Sequence, residues 1–248
     1  MSRPGYDPEL FEPIADAEAR SFWFRARNRL IVSTLRRNFP AAQSLLEVGC
    51  GSGIVLASIH EALPDLRLVG VELYAEGLTI ARRRLPDAEL LQLDAKELPF
   101  ENKFDVVGAF DVIEHIDEDD LVLERMVRAA TPGGGVMVLV PQHPWLWSAH
   151  DEVMEHRRRY TRRELVGKAE RAGIQVTELT SFVSSLLPAM AASRLLDRAR
   201  KRTDPIARLQ GGRLNRVLER VLDGERRLIE HGVSLPFGGS LMLVGRKR

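Results

Sequence analysis

The 248-residue chain is 44% hydrophobic and 29% charged, which fits a folded globular protein with a sizeable core, as one large or two small domains. Its 36 basic and 35 acidic side chains leave a net charge of +1, so no global field draws it to nucleic acid or another polyanion. A single cysteine, Cys50, excludes an internal disulfide and a multi-cysteine metal site, and no apolar run approaches the ~20 residues needed to span a bilayer.

In chain order, MSRPGYDPEL has no apolar core behind its charges and does not read as a signal peptide, so a cytoplasmic location is expected. Residues 9–38 read as one helix, with Phe24, Leu30, Ile31 and Leu35 at roughly helical spacing, ended by FPAAQ. Strands and helices then alternate, the rhythm of a parallel sheet. SLLEVG is a strand and GIVLASIHEAL a helix; LRLVGVEL is a strand and AEGLTIARRRL a helix. AELLQLD and FDVVGAFD are strands, EDDLVLERMVRAA a helix, TPGG a turn and GVMVLVP a strand. A helix runs from Thr161 to about Ala172, followed by the strand GIQVTELTSF. Residues 184–232 interrupt the rhythm as an Arg-rich helical segment broken at Pro188, Pro205 and Gly211-Gly212. GGSLMLVGRKR closes the chain as a strand, which predicts an antiparallel pair at the sheet edge.

The glycine turn EVGCGSG, Glu47 to Gly53, sits where the first strand meets the first helix, the cofactor position of open α/β sheets. Gly49, Gly51 and Gly53 let the backbone turn sharply and approach a ligand, and the helix N-terminus behind them offers free N–H groups. The dinucleotide pattern G-x-G-x-x-G/A fails at Ile54, and the Gly-Lys-Ser/Thr ending of a phosphate loop is absent. What remains, E-x-G-x-G-x-G, resembles the first motif of the class I S-adenosylmethionine-dependent methyltransferases. Glu72, ending VGVEL, is placed to accept both ribose hydroxyls, and Asp94, in LLQLDAKELPF, to accept from the adenine amino group. Both acids stand at the strand ends where the family carries them.

The resemblance covers about residues 40–180 and implies a Rossmann-like, doubly wound α/β fold. Its sheet would be seven-stranded and mostly parallel with an antiparallel last strand, accompanied by N-terminal helices and a helical insert before that strand. The division expected is a helical cap (1–39), an S-adenosylmethionine-binding core (40–180), an insert or lid (181–235) and a final core strand (236–248). The resemblance also implies that Glu47 binds the ammonium end of the cofactor, that Leu73 and Ala95 flank the adenine, and that Phe110 lies beside the methionine portion with Asp111. Trp23 would close over the cofactor, and Arg25 or Arg27 would meet its carboxylate; the other reading of this helix is plain docking with buried aromatics.

Methyl transfer needs an in-line nucleophile, a dry pocket and, for protonated acceptors, a base. DVIEHI puts Glu114 and His115 just past the fourth strand, as a base or orienting pair or else as a structural brace. Beyond the fifth strand comes PQHPWLWSAHDEVMEHRRRYT, where His143 follows the strand end and Trp145 and Trp147 supply flat apolar walls. This loop admits four readings. A metal site of His143, His150, Asp151 and His156 matches no recognised zinc spacing, and no metal is expected. A nucleic-acid patch of Arg157 to Arg159 with Arg162 and Arg163 lacks net charge and any recognised module. Thr161 with Glu164 forms a capping box opening the next helix. As an acceptor-pocket lid, the loop would supply His150 or His156 as base and Arg158 or Tyr160 to hold a polar substrate.

The wider pattern resembles a small-molecule group of bacterial class I enzymes, of methyltransferase type 11 or 12, linked to glycan, lipid or secondary metabolism. O- or N-transfer to a small-molecule acceptor is expected, with no nucleic-acid partner. The insert SFVSSLLPAMAASRLLDRARKR is apolar first and basic after, which suits a lid over an apolar or lipid-linked acceptor or a peripheral membrane contact. Two alternatives stand beside this reading: a nicotinamide-dependent oxidoreductase and a non-catalytic module that kept the cofactor fold.

Overall fold

The computed structural model describes residues 11–200 and 213–248. The expected breaks at Pro205 and Gly211-Gly212, the basic pair Lys201 and Arg202, and residues 1–10 lie outside the described residues.

Seven strands form one sheet: β1 (Ser44–Val48), β2 (Arg67–Glu72), β3 (Glu89–Gln92), β4 (Phe104–Phe110), β5 (Ala130–Pro141), β6 (Ile174–Phe182) and β7 (Ser240–Lys247). Their order is β3-β2-β1-β4-β5-β7-β6. Every pairing up to β5 is parallel, whereas β7 runs antiparallel between β5 and β6. The order reverses between β1 and β4, so the helices following them leave on opposite faces and a crevice opens at the carboxyl ends of these strands. Alternation along each strand separates two cores. Leu45, Val106 and Met137 face one side, and Leu46, Val107 and Val138 the other.

The first core is closed by α2 (Phe22–Asn38), α3 (Ile54–Ala62), α4 (Ala75–Arg84) and α9 (Arg213–Glu230), through residues such as Leu30, Leu56, Leu78 and Leu222. The second is closed by α5 (Asp119–Ala129) and α7 (Arg162–Arg171), through Leu123, Met126 and Leu165. The remaining helices are α1 (Phe11–Arg20), the short α6 (Ala149–Val153) and α8 (Leu187–Arg200). No described helix is long and apolar enough to cross a membrane.

The doubly wound, mostly parallel seven-stranded sheet is the expected one, with helices before it and a helical insert ahead of β7. Two local expectations change. The single N-terminal helix is two, because Ser21 adopts extended geometry and its Oγ accepts from the Trp23 N–H, which starts α2 afresh. Residues 131–134, TPGG, belong to the start of β5 instead of forming a separate turn, with the register to β4 shifting between Phe104 and Val106.

The cap and insert meet over the crevice. Arg25 on α2 pairs with Glu219 on α9 at 2.6 Å, and Arg29 with Asp223 at 2.9 Å.

Candidate active site

A cavity of about 1320 Å³ lies over the carboxyl ends of β1, β2 and β4, roofed by residues of α1, α2, α8 and α9. Its floor is the turn between β1 and α3. Gly49 has φ +69°, and a Cβ there would stand 2.6 Å from a Val112 methyl. Gly53, at φ +74°, caps α3 where a Cβ would press on Ala81 at 3.0 Å. Side chains are excluded at both positions by handedness and by space. Gly49 and Gly51 line the cavity; Gly53 stands behind them.

Two buried carboxylates flank this turn. Glu47, on β1, is 2% exposed and its Oε2 accepts no hydrogen bond. Burial raises its pKa well above the usual carboxylate range, opposed by Arg27. Glu72, ending β2, accepts the Gly51 N–H on Oε2 at 2.9 Å and the Tyr74 N–H on Oε1 at 3.0 Å. Burial raises it too, against those N–H groups. Asp94 caps the turn at 95–97 by accepting the Lys96 N–H at 2.9 Å. Leu73, Ala95 and Phe110 complete this side of the wall, with Trp23 above. Arg27 also lines the cavity, but its guanidinium reaches Asp111 at 2.7 Å and Asn28 at 3.2 Å, between the rings of Trp23 and Phe24.

The opposite wall carries Glu114, His115, His150 and His156. Glu114 and His115 lie on a single 3-10 turn after β4. Glu114 has no exposed surface, and neither carboxylate oxygen has a hydrogen-bond partner. Burial, then the charge of Asp111, raises its pKa well above the usual range. The His115 and His156 rings meet edge-on at 4.8 Å. Burial, then His156, lowers the His115 pKa to about 3. His156 Nδ1 lies 2.9 Å from Asp151 Oδ1, and Arg159 Nε donates to the same oxygen at 2.7 Å. Burial works against the Asp151 charge, but His156 and Arg159 hold its pKa below the usual carboxylate range. An ionised carboxylate only accepts, so His156 Nδ1 is the donor in this pair.

Several predicted residues stand elsewhere. His143 does not line the cavity: its backbone has φ 64° and its ring stacks on Phe237 at 6.0 Å, beside Trp145. Trp145 is 54% exposed, and neither it nor Trp147 reaches the cavity wall. Tyr160 is fully buried, donating to Asp119 at 2.7 Å, and Arg158 pairs with the same carboxylate at 2.9 Å. Both brace the N-terminus of α5 instead of facing a substrate, because a buried acid there needs donors. Thr161 caps α7 as expected, accepting the Glu164 N–H. Asp151 as the orienting partner of His156, and Arg159 behind it, were not singled out by sequence; one arginine in a run of three carries no mark of burial. Met190 and Leu218 on the roof were likewise hidden, since apolar helix positions look alike until packed.

Residues 45–134 match the family model of a methyltransferase domain. A dTDP-3-amino-3,6-dideoxy-α-D-glucopyranose N,N-dimethyltransferase of Streptomyces fradiae is 33% identical over 141 residues, 55% of this chain and 52% of that one. A trans-aconitate 2-methyltransferase of Azoarcus is 29% identical over 140 residues, 56% of this chain and 52% of that one. The chain thus spans about half the length of the curated relatives it matches. Among solved structures, an S-adenosylmethionine-dependent methyltransferase of Thermotoga maritima superposes with a TM-score of 0.59 at 16% identity, over 96% of this chain and 98% of that one, a likeness of fold.

Proposed function

We propose that this chain, whose residues 45–134 match a methyltransferase-domain model, is a class I S-adenosylmethionine-dependent methyltransferase that methylates oxygen or nitrogen of a small molecule. The observation that carries the reading is Glu47: a buried carboxylate oxygen without a partner, beside a glycine turn that admits no side chain at Gly49. Such an atom calls for a cationic ligand, and the ammonium of S-adenosylmethionine supplies one. Glu72 has lone pairs left for the ribose hydroxyls after accepting its two backbone N–H groups. Asp94 would receive the adenine amino group between Leu73 and Ala95. Arg27 directs its fork to Asp111 and Asn28, so its part is to hold the wall beside Phe110.

Bound S-adenosylmethionine supplies a methyl carbon already activated by its sulfonium. The protein has to place the acceptor in line, exclude water and relieve the acceptor of a proton. Glu114, His115, His150 and His156 form the wall suited to this, with the His156 ring held in place by Asp151. The roof of Phe22, Trp23, Met190 and Leu218 keeps the space apolar. Relatives named for an amino sugar and for trans-aconitate support a small-molecule acceptor. The nicotinamide reading loses its ground, since the matched family transfers methyl groups.

Titration calorimetry with S-adenosylmethionine and S-adenosylhomocysteine tests the reading. The wild-type protein binds both, and Glu72→Ala weakens each by roughly tenfold or more, given ~1.5–3 kcal/mol for a hydrogen bond to a charged group. Folded wild-type protein that binds neither overturns it.

A lipid-linked acceptor is favoured by one further feature. On α9, Leu214, Val217, Val221 and Leu228 are 69%, 54%, 39% and 53% exposed, spaced so that they share one face. Exposed Arg216, Arg220 and Arg227 run beside them, while Glu219 and Asp223 turn inward to Arg25 and Arg29. An apolar stripe edged with arginine suits the surface of an anionic bilayer. Leu214 also stands on the cavity rim, so an acceptor anchored in that surface would enter beside it.

A further inference from the structure

One donor atom from each of Glu114, His115 and His156 lies within 4.8 Å of the other two. The set joins the turn after β4 to the loop after β5, and the Arg157 N–H ties the two together by donating to the Glu114 carbonyl at 2.7 Å. Glu114 is the unusual member. Its carboxylate is wholly buried at a cavity wall, with no donor to either oxygen. A carboxyl in that state costs several kcal/mol of desolvation unless a ligand meets it. The nearby cations do not serve it, because Arg27 is engaged by Asp111 and Arg159 by Asp151. The two imidazoles beside it each bring a ring nitrogen within 4.8 Å of its carboxylate.

The surroundings of His156 point the same way. Its Nδ1 lies 2.9 Å from Asp151 Oδ1, which leaves Nε2 as the ring nitrogen available to an ion. A carboxylate behind an imidazole is the usual outer support of a metal-bound histidine, fixing ring and tautomer together. Asp151 is itself held by Arg159 and by the Ser148 N–H at 2.9 Å, so the support is rigid.

We propose that Glu114, His115 and His156 bind one divalent transition-metal ion, Zn²⁺ by donor type. Two imidazoles and one carboxylate with a position left open is a donor set for such ions and not for Mg²⁺ or Ca²⁺, which take oxygen. Ligand atoms on a tetrahedral Zn²⁺ stand ~3.4 Å apart, so the three side chains close by roughly an ångström around it. The open position faces the cavity, where it would take an oxygen of the acceptor. An acceptor hydroxyl held there would have its pKa lowered by the ion. Only this last role rests on the methyltransferase reading; binding of the ion does not.

The test uses the untagged 248-residue chain stripped of metal and titrated with Co²⁺, whose visible ligand-field bands report nitrogen and oxygen donors directly. One Co²⁺ per chain is expected, displaced by Zn²⁺. Glu114→Gln and His156→Gln each lower the affinity by about a hundredfold or more, and Asp151→Asn by about 10–100-fold through its outer support. S-adenosylhomocysteine calorimetry on each metal-free variant shows that the cofactor half still folds, and reads the methyltransferase assignment separately. Folded wild-type protein with no bands overturns the proposal. So do bands that persist unchanged in both the Glu114→Gln and His156→Gln variants, because they place the ion elsewhere.

Discussion

At the scale of single residues, His150 shows how the cavity makes the protein sensitive to acid. Burial, then the charge of Arg194, lowers its pKa to about 4. An unfolded histidine titrates near ~6.5. Between those values the unfolded chain binds the proton and the folded chain does not, so stability falls as pH drops from about 6.5 to about 4. The thermal midpoint is expected to decline over that range, and His150→Gln to flatten the decline while leaving the midpoint at neutral pH nearly unchanged. A variant with the same acid limb as the wild type counts against this account. Glu47, Glu72 and Asp94 could be found from sequence because each stands at a strand end, a position set by local pattern. Tyr160 and Arg158 could not be judged so, since only the fold shows the buried Asp119 that claims them both.

At the scale of elements, α9 divides its faces. Leu222 and Ile229 enter the core, Glu219 and Asp223 lock onto α2, and the Leu214 to Leu228 stripe is left to solvent. The membrane reading predicts that the protein sediments with vesicles containing phosphatidylglycerol and not with phosphatidylcholine alone. Val217→Asp with Leu228→Asp should abolish sedimentation without shifting the thermal midpoint by more than a few degrees, because both positions are exposed. Vesicle binding that survives the double substitution would falsify the role of α9. The loop after β5 is a different kind of element: its end starts α7 at Thr161, and its middle is a second capping motif, with Ser148 and Asp151 bonding reciprocally around the start of α6. Asp151 is therefore both a helix cap and the support of His156, a double duty that its spacing alone does not show.

At the scale of the whole molecule, the cavity lies between the mostly parallel sheet below and two helical segments above, distant in sequence and joined by the Arg25–Glu219 and Arg29–Asp223 pairs. A ligand filling it touches floor and roof at once and stabilises the folded chain by mass action. At a hundred times its dissociation constant, S-adenosylhomocysteine should add about 2.7 kcal/mol. For a chain of this size that corresponds to a rise of roughly 5–10 °C in the thermal midpoint. Differential scanning fluorimetry checks it, and no rise at saturating ligand contradicts a site enclosed by both layers.

The amino-acid sequence by itself determined the strand and helix alternation, the glycine turn and the acids at the ends of β1, β2 and β3. These are properties of short segments: a period of two or 3.6 residues, a backbone that must turn left-handed, a charge at a strand terminus. It also placed the loop after β5 at the crevice end of the sheet, because a loop following a parallel strand opens at the same end as the glycine turn. The tertiary structure alone decided which histidines share a wall. His115 and His156 meet because β4 and β5 are neighbours in the sheet, whereas His143 is turned away by its left-handed backbone toward Phe237. Contact across the sheet depends on strand order and loop path, which no local pattern encodes, and so the grouping of Glu114, His115 and His156 came only with the fold.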